Sequence, residues 1–357
     1  MNLYVHFPFC RAKCTYCALF SRVGASVSQR SEYVARLASE ITSRIPRTSL
    51  QTVYFGGGSP ALCDLTPLFE ILRPRLAPDA EWTVELHPCD VSQELLDGLR
   101  AGGVNRLSLG VQSFDERALS DMQRGHTAEE AEQAFRLIRS SGFKNAGIDL
   151  IAGWPGTDET SWRQTLARAT ALELDHCSVY SLIHEPKTRL DLLLRRGEMV
   201  LPDDEVALSQ IQIAQEVLAS AGLRRYEISN YARSGSECRH NLAVWRGEDY
   251  LGLGDGAHGR ENRLRTVGEK GAYRIETLSE ETDALERAFF ALRLPYEGLD
   301  LVSAAHRWPI LSGRIDGWRT TLETLAGQGI AHRLRTDVYA LTARGLEVCD
   351  AVLSELL

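Results

Sequence analysis

The sequence predicts an α/β fold in which six βα units build a parallel sheet, followed by an α+β C-terminal region. Three observations carry this. Short β-branched or aromatic runs recur six times in the first half of the chain. Between them lie longer stretches whose apolar residues repeat at helical spacing, and strands alternating with helices imply βαβ units. After Pro186 the alternation stops.

The strand candidates are Leu3–His6, Thr52–Phe55, Trp82–Leu86, Arg106–Val111, Ala146–Ile151 and Cys177–Tyr180. The helical spacing shows at Val34/Leu37/Ile41, Leu95/Leu96/Leu99, Ala131/Phe135/Ile138 and Trp162/Leu166/Ala169. Six units are fewer than the eight of a closed barrel, and a doubly wound sheet fits the same pattern. In either arrangement the active site belongs at the C-terminal ends of the strands. Beyond Pro186, Leu190–Arg196 reads as a short helix. Asp203–Ala221 reads as a longer one with an acidic first turn, closed by Gly222. Tyr226–Ile228 reads as a strand and Ser234–Arg260 as irregular and glycine-rich. From about Asp283 the chain turns helical, then ends in Ile330–Leu341 and Thr342–Leu356, a helix–strand–helix tail that resembles a small winged-helix module. The expected domains are 1–185, 186–282 and 283–357.

With 357 residues, 44% hydrophobic and 25% charged, the chain has ordinary globular composition, which excludes disordered, collagenous and coiled-coil classes. Its net charge of −8 argues against a general nucleic-acid binder, which needs a cationic surface. No window reaches 18 apolar residues, and the start lacks a basic and apolar leader. The expected location is the cytoplasm, where thiols stay reduced. Of the eight cysteines, Cys63, Cys89, Cys177, Cys238 and Cys349 are scattered and read as small buried hydrophobes.

Cys10, Cys14 and Cys17 are different: C-x3-C-x2-C puts three thiols on one tight loop after the first strand. Soft thiolates suit zinc or an iron–sulfur cluster. Structural zinc wants a fourth protein ligand, and no second C-x2-C pair exists. A [4Fe–4S] cluster with one iron open to a cofactor fits three ligands better.

Other candidates sit at the strand ends. Gly56-Gly57-Gly58-Ser59-Pro60 follows the second strand, and three consecutive glycines imply close backbone approach to something. Glu85, Gln112 and Asp149 are polar residues in apolar surroundings, so each belongs to a core network or a ligand contact. Arg124, in Gln123-Arg124-Gly125-His126, reads by default as a solvated surface residue.

The cysteine spacing, with Tyr16 just before the third cysteine, resembles the signature of the radical S-adenosylmethionine superfamily. That resemblance implies a partial (β/α)6 TIM-like barrel. It also implies a cluster whose free iron chelates the methionine amino and carboxylate groups and reductively cleaves the sulfonium. The glycine run resembles the element that holds the methionine end of the cofactor, with Ser59 in place of Thr. Tyr4–Cys10, Phe55–Pro60, Arg106–Phe114 and Ile148–Pro155 resemble the oxygen-independent coproporphyrinogen III oxidase (dehydrogenase) group. Carried over by position, Tyr4, Tyr16, Gly57, Gly58, Ser59, Glu85, Gln112, Arg124 and Asp149 match contacts to one or two S-adenosylmethionines.

That group holds two functional types. The dehydrogenases carry a fourth cysteine, in C-x3-C-x2-C-x-C, and a longer segment before the first strand. Here Leu19 stands in the fourth position and nine residues precede Cys10. Both departures point to the HemW-like heme chaperones, which carry an HNxxYW element linked to heme. Here the element is His240-Asn241-Leu242-Ala243-Val244-Trp245, with Val244 for Tyr. A neutral imidazole suits heme iron and an aromatic can stack on the macrocycle, so the resemblance implies His240, Asn241 and Trp245 as heme residues. His258, in a glycine-rich setting, is a second candidate. The expected function is a heme chaperone, and the alternative is a coproporphyrinogen III dehydrogenase or another radical enzyme acting on a tetrapyrrole. The expected partners are heme and a heme-accepting apoprotein of the respiratory type. Transient membrane association through that acceptor and a homodimer complete the expectations.

Overall fold

The six expected strands pair in sequence order as one parallel ladder. The computed structural model describes residues 1–45 and 49–357. Its barrel strands are β1 (Asn2–Phe7), β2 (Leu50–Gly57), β3 (Leu76–Leu86), β4 (Arg106–Gln112), β5 (Asn145–Ala152) and β6 (His176–Ser181), each parallel to the next. Between them run α1 (Val27–Arg44), α2 (Thr66–Leu72), α3 (Gln93–Gly102), α4 (Glu116–Asp121), α5 (Ala128–Ser140) and α6 (Glu159–Thr170). β3 starts at Leu76 rather than Trp82. A register shift between Leu50 and Thr52 lets the polar Pro78-Asp79 segment extend the strand without entering the core.

Local chemistry sets the helix ends. Ser26 and Gln29 form a reciprocal capping box on α1, and Thr127 with Glu130 does the same on α5. α3 ends at Gly103, whose φ of +102° few other residues adopt without strain.

Alternation along the strands then sorts the side chains. Leu3, Val5, Phe7, Val53, Phe55, Val84, Leu86, Leu107, Leu109, Val111, Ile148 and Leu150 face the helices. They pack with Leu37, Ile41, Leu68, Leu99, Phe135 and Leu166 in one large apolar cluster. Each such buried side chain contributes about 1.5–3 kcal/mol. The intervening residues face the barrel interior and are mostly polar, among them Tyr4, His6, Tyr54, Glu85, Ser108 and Asp149.

Tyr250–Leu253 adds a further parallel strand beside β1, followed by an antiparallel run of His258–Glu261, Leu264–Glu269 and Ala272–Thr277. At the other edge Asn230–Ala232 lies antiparallel to β6. α7 (Arg189–Arg195), α8 (Asp204–Ser220) and α9 (Arg239–Trp245) complete this part.

Two expectations fail here. Tyr226–Ile228 is the turn between Arg224–Arg225 and Asn230–Ala232, not a strand. Tyr226 is buried because its hydroxyl bonds His176 Nε2 at 2.9 Å and the Cys238 N–H at 3.1 Å. The stretch 234–260 is ordered into α9 and two strands. Its glycines permit close crossing of the chain: a Cβ on Gly252 would sit 2.0 Å from the His258 carbonyl.

A second apolar cluster gathers Ala288, Phe289, Leu292, Leu311, Trp318, Leu322, Leu341 and Val352. Around it α10 (Glu280–Ala291), α11 (Leu301–Arg307), α12 (Ile315–Gly327), α13 (Ala343–Glu347) and α14 (Cys349–Leu356) flank a small antiparallel sheet of Leu299–Asp300, Val338–Leu341 and Ala331–Arg335. No helix among the described residues is long and apolar enough to cross a membrane.

Candidate functional site

The cysteine loop lies at the C-terminal end of β1 and is fastened to its neighbours through Thr15. The Thr15 N–H donates to the Met122 carbonyl at 3.0 Å and its hydroxyl to the Asp121 carbonyl at 2.7 Å. Its own carbonyl accepts the Leu190 N–H at 2.8 Å. The loop is therefore held between the end of α4 and the start of α7. Lys13 closes it from the other side, donating to the Leu19 carbonyl and the Ser21 hydroxyl, both at 2.7 Å.

Cys10, Cys14 and Cys17 are all half-buried. Burial first, then the nearby Cys17 and Cys14, push the Cys10 thiol up to about 11. Three thiols gathered on one short loop suit a group that takes up their sulfurs as thiolates, as metal ligation does. Arg124 donates to Cys14 Sγ at 3.2 Å and to the Gly110 carbonyl at 2.5 Å. It is buried, not the solvated surface residue expected by default. A fixed guanidinium stabilises a thiolate or a negatively charged cluster at that sulfur.

The glycine run packs directly against this loop. Gly58 and Ser59 donate their N–H groups to the carbonyls of Phe7 and Phe9, both at 2.7 Å. A Cβ on Gly57 would lie 2.4 Å from His6 Cε1, and one on Gly58 would lie 2.4 Å from the Phe9 carbonyl and 2.9 Å from Cys10 Sγ. The close approach expected of these glycines is thus made, in the first place, to the strand that carries the cysteines. Ser59 is buried and donates to Asp90.

Opposite the loop stand two carboxylates. Glu85 accepts the Tyr54 hydroxyl at 2.7 Å and the Gly57 N–H at 3.0 Å. Asp149 accepts the Ser108 hydroxyl at 3.1 Å. Burial, then the like charge of Asp149, push the Glu85 carboxyl from its ordinary 4.5 up to about 7. Burial likewise raises Asp149 against the pull of Ser178 and Ser108. Two carboxylates held up by burial, one of them also by the other, favour a cation brought between them. The ammonium and sulfonium of S-adenosylmethionine would supply one, so this donor set fits that cofactor.

Gln112 adopts φ of +75° at a register shift between β4 and β5. A Cβ added to Gly110 would approach both Gln112 Nε2 and Arg124, so these two side chains share the same corner of the mouth. Tyr16 meets Trp154 edge to face at 6.0 Å, and the Tyr4 hydroxyl pairs with His6 Nδ1 at 3.0 Å. Sequence reasoning missed Thr15, Tyr54 and Ser108, which hold the loop and the carboxylates. For Tyr54 and Ser108 the signal was a polar residue alternating with apolar ones inside a strand; Thr15, in the loop, carried none.

The heme candidates lie elsewhere. His240 is 5% exposed and its Nδ1 pairs with the Thr52 hydroxyl at 2.9 Å, while its N–H donates to Glu81 at 3.2 Å. Thr52 pairs in register with Asn2, the first residue of β1, and with Glu81. His240 therefore plugs the N-terminal end of the barrel beneath Tyr4 and Tyr54, opposite the cysteine loop. Burial lowers its imidazole to about 4, so it is neutral. Trp245 turns away, stacking edge to face on Phe290 at 5.5 Å. The structure does not bring His240 and Trp245 together. His258 is exposed at the start of its strand.

Known proteins resemble this chain in sequence and fold. Residues 4–169 match the Radical SAM superfamily. The chain is 35% identical to the heme chaperone HemW of Bacillus subtilis over 99% of this chain and 100% of that protein. It is also 35% identical to HemW of Escherichia coli K12, over 73% of this chain and 70% of that one. The solved coproporphyrinogen III oxidase HemN of Escherichia coli, described as a radical SAM enzyme, superposes with a TM-score of 0.83 at 24% identity, covering 99% of this chain and 89% of that one. That likeness shows the fold. Membership of the radical SAM superfamily implies a [4Fe–4S] cluster and S-adenosylmethionine, which the donors at the barrel mouth fit. With similarity that runs the full length of both chains, the protein belongs to the HemW heme chaperone family.

Proposed function

We propose that this protein is a cytoplasmic heme chaperone that carries a [4Fe–4S] cluster, binds S-adenosylmethionine, and passes heme to an acceptor apoprotein of the respiratory type. The observation that carries the heme assignment is the end-to-end similarity to the Bacillus subtilis heme chaperone.

In this reading Cys10, Cys14 and Cys17 hold the cluster, and Arg124 fixes the charge at Cys14. A bound cluster would supply single electrons for reductive chemistry on S-adenosylmethionine. Glu85 and Asp149 meet the cationic end of that cofactor, with Tyr54 and Ser108 orienting their oxygens. Tyr16, packed on Trp154, shields the loop from water. Gln112, Tyr4, Gly57, Gly58 and Ser59 complete the pocket wall. The rim beside Cys17 is apolar: Leu19 is 55% exposed and stands where the dehydrogenases have a fourth cysteine.

His240, Asn241 and Trp245 are proposed to contribute to heme capture. Because His240 is enclosed, ligation of iron by its imidazole requires α9 to swing outward from the barrel floor. The test is anaerobic heme titration of the protein with and without its cluster, followed by transfer to an apo-acceptor. Uptake of about one heme per chain and transfer to the acceptor are expected. No uptake at stoichiometric heme, together with decarboxylated product from coproporphyrinogen III, would replace the chaperone reading with the enzymatic one.

A further inference from the structure

The tightest group of metal-type donors among the described residues lies outside the cysteine loop. His87, Cys89 and His126 each offer one ligand atom, and these atoms all lie within 4.8 Å of one another. His87 and Cys89 follow β3 at the C-terminal face of the barrel, and His126 lies in the turn between α4 and α5. Tetrahedral zinc at ~2.0–2.3 Å from each ligand places its donors roughly 3.5 Å apart, so closure takes about 1 Å of side-chain adjustment.

Three further observations point to a ligand here. First, neither ring nitrogen of buried His126 makes a hydrogen bond of good geometry. Only the backbone of Val111 and Arg124 lies near the ring, and a buried imidazole so weakly satisfied calls for an explanation. Second, Cys89 is exposed, not the buried hydrophobe the sequence suggested, so an ion has access from solvent. Its thiol already turns toward the loop that carries His126, donating to the Gly125 carbonyl at 3.1 Å. Third, the two imidazoles already meet edge to face, with ring centroids 5.2 Å apart and planes at 79°. Arg124 itself opposes a cation, while Asp90 and Glu130 lie close enough to offset it; with burial, these two acids keep Cys89 a protonated thiol until an ion binds.

We propose that His87, Cys89 and His126 form a second metal site, for a zinc(II) ion, with water in the fourth position. Two imidazoles and one thiolate suit a borderline ion of this kind. Binding converts the Cys89 thiol to a thiolate and releases its proton to solvent; no electrons move. The site lies beside Arg124, which contacts Cys14, so a bound ion would brace the residue that supports the cluster loop.

The experiment uses protein reconstituted anaerobically with iron and sulfide and kept free of heme. It is incubated with zinc chloride or cobalt chloride, desalted, and analysed for each metal. Wild type is expected to retain about one zinc per chain with its iron and sulfide unchanged. Cobalt should give the intense visible bands of a tetrahedral thiolate-ligated ion. Cys89→Ser and His126→Gln should weaken retention by more than the roughly 10–100-fold typical of losing an outer-shell partner. Both variants should keep the wild-type circular dichroism and cluster content. Three results would overturn the proposal: no retained zinc in wild type, equal retention in the variants, or loss of iron in step with zinc uptake.

Discussion

Replacing Glu85 by Gln keeps the shape of the side chain and removes its charge. Glu85 titrates near 7 in the folded protein against an ordinary 4.5. Between those values the folded state holds a proton that the unfolded state has released. The stabilising contribution is therefore full below about 4.5 and is lost as pH rises through about 7. At ~1.4 kcal/mol per pH unit this amounts to about 3 kcal/mol. Glu85 keeps partial contact with solvent through the mouth, so screening reduces that to about 1–2 kcal/mol. Urea unfolding of cofactor-free protein between about pH 5 and 8 should show wild-type stability falling, and the Glu85→Gln profile flatter by that amount. Binding of S-adenosylmethionine should show the opposite trend. The cation prefers the ionised carboxylate, so wild-type affinity should rise through about pH 7. Glu85→Gln should bind about tenfold or more weakly at pH 8, the loss expected for a charge-assisted hydrogen bond. Parallel pH profiles in the two proteins would refute the reasoning, because they would place the titrating group or the cofactor elsewhere.

Cys14→Ala should abolish the cluster chromophore while leaving helical circular dichroism intact, because the loop is fastened through Thr15 rather than through sulfur; full iron and sulfide content would mean the ligand is another residue. Gly57→Val should destabilise the fold by about 3 kcal/mol or more, since φ is +105° and its Cβ would overlap the His6 ring; a variant unfolding at the wild-type denaturant midpoint would contradict the packing. His240→Ala leaves a hole under Tyr4 and Tyr54 and an unpaired Thr52, so it should cost about 2–4 kcal/mol of stability as well as weakening heme uptake. Because α9 and the cysteine loop occupy opposite ends of the barrel, saturating S-adenosylmethionine should leave heme titration unchanged, and mutual exclusion would put heme at the mouth instead.

The six strands and the helices between them were legible because a strand buried on one face by helices must alternate, and a helix must repeat its apolar residues at three and four; their order in the sheet was not, since a doubly wound sheet fits the same pattern and only the family resemblance selected the barrel. The cysteine loop was legible because ligands close in sequence are close in space. Tyr226–Ile228 misled because a tyrosine buried by its own hydroxyl bonds looks the same in sequence as one buried in a ladder. The stretch 234–260 misled because glycines that let strands cross closely look like glycines of a loop. In sequence Cys89 looks like a buried hydrophobe and His126 like an ordinary turn residue, because their partnership with His87 spans separate βα units. The same limit applied at the other end of the barrel. A motif containing His240 and Trp245 could be read from the chain, but which way each ring points depends on what packs around α9. Only the curved sheet, which gathers the inward-facing polar residues of neighbouring strands in one interior, decided that Glu85 would meet Asp149, that Arg124 would reach Cys14, and that His240 would lie beneath them.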